Sequence, residues 1–201
     1  MDEEYTDATE QWEPDELMNP RPKWPEVIGI ISIVLAGLGL TCGGIGIIWQ
    51  GFVAPGFMEQ ALDGDPFPDA MRLNGVDYTI GGAGLVLSLV LLFAGIACVT
   101  HRPVARIMHL VYAGCSIPLN IGSYLNQMAK AESMQQWAQD YPNNPISQSM
   151  DPSNPMAAIG QIVGLVLFML LGLGIPLFYL IWFGLLKTKP EQMTGDEEGI
   201  Y

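Results

Sequence analysis

The chain has 201 residues, 50% of them hydrophobic and only 14% charged, with a formal net charge of −13. Soluble domains carry about a quarter charged residues. A chain this acidic also lacks the basic patch that neutralises phosphates, which excludes nucleic acid as a partner. Nine of the 21 acids lie at or before Glu26 and four follow Lys189, so the acidity belongs largely to the two ends. Between them run long windows with almost no charge, as membrane spans require.

Residues 1–24 read as an acidic, disordered cytoplasmic tail, poor in aliphatics and interrupted by Pro14 and Pro20. The pattern is not that of a secretory signal, whose apolar region is short and follows positive charge. Residues 25–189 form the membrane domain. Its first span is expected over about 27–53, opened by Trp24-Pro25 and closed by Trp49 and Pro55. Proline suits a first helical position, where its missing N–H has no partner in any case. Trp24 and Trp49 would stand about 37 Å apart on a helix, close to the membrane thickness with headgroups, which suits aromatic belts.

A connection of about 54–77 follows, with Asp63, Asp65 and Asp69 among glycine and prolines. It lacks the central ligand, glycine and closing glutamate of a calcium loop, and a solvated turn is expected instead. Spans two and three are expected at about 78–100 and 104–126, the latter carrying Pro118, which should kink it. The second long connection, about 127–155, begins helix-compatible and so extends span three beyond the membrane. It ends in Tyr-Pro-Asn-Asn-Pro and Asp-Pro-Ser-Asn-Pro, which make turns. Span four covers about 156–186 with Pro176 inside, and residues 190–201 form a second acidic tail.

The expected fold class is therefore all-α: an integral membrane bundle of four transmembrane helices. Arg21, Lys23, Arg102, Arg106, Lys187 and Lys189 flank one side of these spans, and Arg72 and Lys130 the other. The positive-inside rule then puts both termini in the cytoplasm, N-in and C-in.

Two stripes carry information. Gly29, Ser32, Ala36, Gly39, Gly43, Gly46 and Gln50 recur at intervals of three and four, which holds them on one face of span one. Gly81, Gly84, Ser88 and Gly95 repeat the theme on span two, and Gly160 and Gly164 on span four. Small residues let backbones approach closely in lipid, either within this bundle or against another subunit. The second stripe is polar: His109, Tyr112, Ser116, Asn120, Ser123 and Gln127 share one face of span three over about 27 Å. Polar groups at that depth turn toward the bundle interior, as an interhelical hydrogen-bond seam or as the lining of a ligand path.

No Asp or Glu lies in spans two, three or four, which counts against ion-coupled transport. His101 and His109 belong to the same margin and are poorly placed to ligate one haem between them. Cys42, Cys98 and Cys115 all fall inside spans and read as packing residues. No nucleophile–base pattern or phosphate loop appears in the sequence, so no enzyme, cofactor or metal is expected.

Arg21-Pro-Lys-Trp-Pro-Glu-Val-Ile-Gly-Ile-Ile-Ser-Ile-Val-Leu-Ala-Gly-Leu-Gly-Leu resembles the opening of small, uncharacterised bacterial four-span inner-membrane proteins. That resemblance implies a multi-pass protein of the cytoplasmic membrane and no particular activity. The leading functional expectation is a non-catalytic accessory or scaffold subunit, or a homo-oligomer, with lipids and other membrane subunits as partners. The alternative is a lipid, quinone or small-molecule binding protein, or a passive pore, using the polar face of span three.

Overall fold

The computed structural model describes residues 23–62, 64–149 and 155–186. Residues 1–22 of the first acidic tail, Asp63, residues 150–154, Lys187, Lys189 and the second acidic tail lie outside the described residues. Those described contain helices and turns but no strand. Four helical runs are long and apolar enough to cross a membrane: Trp24–Phe57, Asp69–Val99, Val104–Asp140 and Ile162–Leu186.

Helix α1, Trp24–Ile48, begins with Pro25 in its first turn and continues through a widened π turn, Trp49–Val53, into α2, Ala54–Ala61. Helix α3, Gly75–Val99, starts three residues earlier than its hydropathy suggests because Asn74 and Asp77 build a capping box. The Asn74 side chain accepts from the Val76 and Asp77 amides, and Asp77 accepts from the Asn74 amide at 2.7 Å. All three bonds satisfy donors that a helix start leaves over.

The link to α4, Val104–Asp140, is tight. His101 takes a left-handed conformation at φ 53. The Arg102 amide donates back to the Ala97 carbonyl and the His101 amide to that of Cys98. This is a Schellman closure with histidine where glycine is usual. Helix α4 spans 37 residues, about 55 Å, against a hydrocarbon core of about 30 Å. It therefore projects as a helix, as its sequence suggests, and remains helical through Pro118.

After the short α5, Pro145–Ser149, the fourth span consists of α6, Pro155–Leu167, a π segment, Phe168–Gly174, then α7, Ile175–Ile181, and a closing π turn, Trp182–Leu186. Pro55 and Pro176 each follow a wide turn. Their rings clash with the carbonyl four residues back in a regular α-helix, and a wider turn relieves that clash. Pro176 also lacks the N–H that would bond the Gly172 carbonyl. Asn120 replaces it, donating from Nδ2 to that carbonyl at 2.7 Å. Hydrocarbon has no water to do so, which is why an asparagine belongs at this depth. Asn120→Leu should cost about 1 kcal/mol of stability in detergent titrations. Pro176→Ala restores the donor, so the loss should shrink in the double variant. An undiminished loss there would refute this pairing.

The contacts run antiparallel throughout. Gly29 meets Gly95, Gly39 meets Ser88, and Gly81 meets Ile47. Tyr124 stacks on Phe168, and Arg106 bonds the Phe183 carbonyl. The core is built from small side chains such as Ala36, Ala94, Ala105 and Ala113, whereas Val27, Ile30, Ile31, Val34 and Leu38 are exposed. A protein in water would reverse this arrangement. Lipid tails are as apolar as leucine, so large side chains face out and helix contact comes from close backbone approach.

Candidate functional site

The polar stripe divides into two structures. At the end carrying the chain termini, His109 is fully buried at 0% exposure and held by two other helices. Its Nδ1 lies 2.8 Å from the Ala105 carbonyl, and its Nε2 lies 2.9 Å from Ser32 Oγ. A carbonyl can only accept, so Nδ1 carries the proton and Nε2 accepts in the neutral ring. Ser32 has one proton, shared between Nε2 and the Ile28 carbonyl at 2.8 Å. The Tyr179 hydroxyl, 2.8 Å away, donates to Ser32 Oγ. Tyr179 and Phe183 pack on the imidazole with centroids at 4.8 and 4.5 Å.

A serine bonded to a histidine resembles a nucleophile and its base. Here Ser32 and His109 both have 0% exposure, and a carbonyl orients the ring rather than a carboxylate. Substrate has no approach. The network joins α1, α4 and α7 as a seam, and both imidazole nitrogens are occupied within it. Tyr112 lies edge-on to Tyr179 at 6.0 Å, and Ser116 donates to the Ala113 carbonyl. With Asn120 they continue the seam toward the middle of the membrane.

The other end is open. Ser123 and Gln127, the last two members of the stripe, line a cavity of about 840 Å³ between α1, α3, α4 and the first long connection. Its deeper wall is apolar, with Gly43, Ile47, Ile80 and Gly81. Its upper wall is mixed, with Gln50, Asp77, Asn126 and Lys130 beside Pro55, Phe67, Met71 and Leu73. Trp49 and Tyr78 stand between, as aromatic residues do at a bilayer interface. Lys130 Nζ pairs with Asp77 Oδ2 and donates to the Arg72 carbonyl at 3.2 Å, while Asn126 donates to Asp77 Oδ1 at 2.8 Å.

The two long connections fold over this end. Trp137 Nε1 donates to the Pro66 carbonyl at 3.0 Å, and Asn144 Nδ2 to Asp65 Oδ2 at 2.9 Å. Leu62 and Met134 are buried within this cap. Asp65 and Asp69 are thus occupied by Asn144 and Arg72, the latter at 3.9 Å. Among the described residues, no three His, Cys, Asp or Glu side chains gather as metal ligands.

The small-residue stripe also divides. A Cβ on Gly29 would lie 2.7 Å from the Gly95 carbonyl oxygen, and one on Gly95 would lie 2.8 Å from that of Gly29. Gly39 and Gly43 face Ser88 and Leu85, and Ser32 and Ala36 are buried. Gly46, Gly84, Gly160 and Gly164 meet nothing within 4 Å. Gly46 opens instead on the cavity.

Sequence patterns did not point to Tyr179, Phe183, Asp77, Asn126 or Lys130 as site residues. Asp77 and Lys130 did leave a trace: each is a single charge beside a span, of opposite sign, at the same end of antiparallel helices. Fold and site together define a four-helix membrane protein with a buried hydrogen-bond seam at one end and a cleft at the other. No protein-family model, curated protein or solved structure matches the chain.

Proposed function

We propose that this is a non-catalytic membrane protein of the bacterial cytoplasmic membrane, with both termini inside, that holds a lipid-like amphiphile in the cleft. One observation carries the reading: the cleft is largely apolar, and its charged groups, Asp77 and Lys130, stand together at its outer end, as a headgroup stands at one end of a lipid. At about 840 Å³, the volume lies within the range of about 300–1,000 Å³ typical of small-molecule sites.

Gly46→Phe tests this. The residue lines the cavity and its missing Cβ would meet nothing within 4 Å, so a side chain placed there can enter the cleft. Lipid retained through detergent exchange, counted by native mass spectrometry, should fall about tenfold, a change worth about 1.4 kcal/mol. The thermal midpoint should stay close to wild type. Wild-type lipid retention in a folded variant would defeat the reading.

A second reading, an accessory subunit or homo-oligomer, draws support from the fourth span. Helix α6 packs chiefly against its own continuation, and Ile162, Val163, Leu165, Val166 and Leu167 are exposed around its circumference. Gly160 and Gly164 leave room for close approach by another helix. A stable monomer in mild detergent at native levels would rule this out.

A further inference from the structure

We infer that the ligand is a phosphate-bearing lipid, with its phosphate at Arg72 and one acyl chain in the cleft. This rests on the lipid-binding reading above and adds the headgroup chemistry. A smaller hollow of about 280 Å³ adjoins the cleft, sharing Gln50, Pro55, Phe67, Leu73 and Tyr78 with it, and Arg72 lines that hollow. The two spaces thus share walls, and a guanidinium stands beside the cleft.

Charge placement singles out this mouth. The long connections, 54–77 and 127–155, contain eight acids and two basic residues, Arg72 and Lys130. They lie far apart in the chain, yet Lys130 Nζ donates to the Arg72 carbonyl, so both positive charges stand beside the same opening. The Arg72 guanidinium lies 5.5 Å from the centre of the Phe67 ring, within range of a cation–π contact. Its planar fork matches the oxygens of a phosphate.

Of these acids, Asp77 and Asp69 pair with the two bases, and their environments differ. Asp77 is held by Lys130, Asn126 and the Asn74 amide, with its side chain only 13% exposed. It neutralises Lys130 and stays in place. Asp69 is 92% exposed and 3.9 Å from an Arg72 side chain that is itself 65% exposed. An exposed, single-contact pair at that distance contributes little, so a phosphate displaces Asp69 from Arg72 at small cost. A neutral lipid would leave this cation without a role in recognition. Free phosphate lacks the tail that fills the cleft, and the lipid is therefore the source.

The full chain, delipidated in a non-lipid detergent, would be titrated with phosphatidylglycerol and with diacylglycerol of the same chains, read by native mass spectrometry. Wild type should bind phosphatidylglycerol at least about tenfold tighter than diacylglycerol. Arg72→Gln, at an exposed site, should remove most of that preference while leaving diacylglycerol binding and the thermal midpoint unchanged. Inorganic phosphate at equal concentration should not displace the lipid. Equal binding of the two lipids, or Arg72→Gln without effect, overturns the phosphate assignment and leaves the cleft reading standing. Displacement by inorganic phosphate overturns the lipid as source. Loss of neither lipid in Gly46→Phe would overturn the cleft itself.

Discussion

Gly95→Ala should destabilise the protein by about 2–3 kcal/mol, although it adds a single methyl group. The added carbon would lie 2.8 Å from the Gly29 carbonyl oxygen and 3.0 Å from the Ile33 amide nitrogen. Both are backbone atoms and cannot swing aside as the end of a long side chain can. Helices α1 and α3 would have to separate along their contact. That contact anchors Ser32 in reach of His109 and Tyr179, so the seam would loosen with it. Gly46→Ala is the matched control, because nothing lies within 4 Å of its missing Cβ. There the methyl lowers the entropy cost of ordering a glycine in a helix, and stability should hold or rise. Thermal unfolding of both variants in one detergent decides the matter. Equal behaviour would mean that α1 and α3 do not cross at Gly29 and Gly95.

The contrast shows what a sequence stripe can and cannot say. Spacing by three and four puts Gly29, Gly39, Gly43 and Gly46 on one face and says nothing of what stands opposite each. The crossing geometry brings α3 close at Gly29 and Gly39 and lets the cavity open at Gly46. The polar stripe behaves alike. Its six residues share one face of α4, and that face meets α1 and α7 near His109, the Gly172 carbonyl at Asn120, and open space at Ser123 and Gln127. Periodicity supplies the face, whereas the role of each residue depends on its depth and on its neighbour.

Span existence was legible because hydrocarbon admits few alternatives. The expected start of span two at 78 missed the capping box at Asn74 and Asp77, since charge at a helix start looks like a loop on hydropathy alone. The seam partners were harder to see. Tyr179 lies 147 residues from Ser32, and a lone tyrosine in an apolar span carries no periodic signal. The wide turns before Pro55 and Pro176 were equally hidden, whereas Pro118 sits in unbroken α-helix. Pro55 reads in the sequence as the end of span one, yet the chain stays helical through it to Ala61, and tertiary packing separates the three prolines.

The polar wall of the cleft makes the second large prediction. Lys130→Met should cost about 2 kcal/mol, because it strips the Asp77 carboxylate of its counter-charge while leaving the carboxylate in place. Removing one partner of a fully buried pair costs about 3–5 kcal/mol. The smaller figure allows for side-chain exposures of 13% at Asp77 and 23% at Lys130 and for the bonds that Asn126 and the Asn74 amide still supply. Asp77→Asn with Lys130→Met removes both charges while keeping similar shapes, so the double variant should recover most of the loss. The size of that recovery in a double-mutant cycle measures the coupling directly. Additive losses would mean that water already screens the pair and that the upper wall of the cleft belongs to the solvent. Recovery would mean that the wall is dry enough for charge to be felt, and an ordered polar rim above an apolar floor is what an amphiphile requires to be held at one depth.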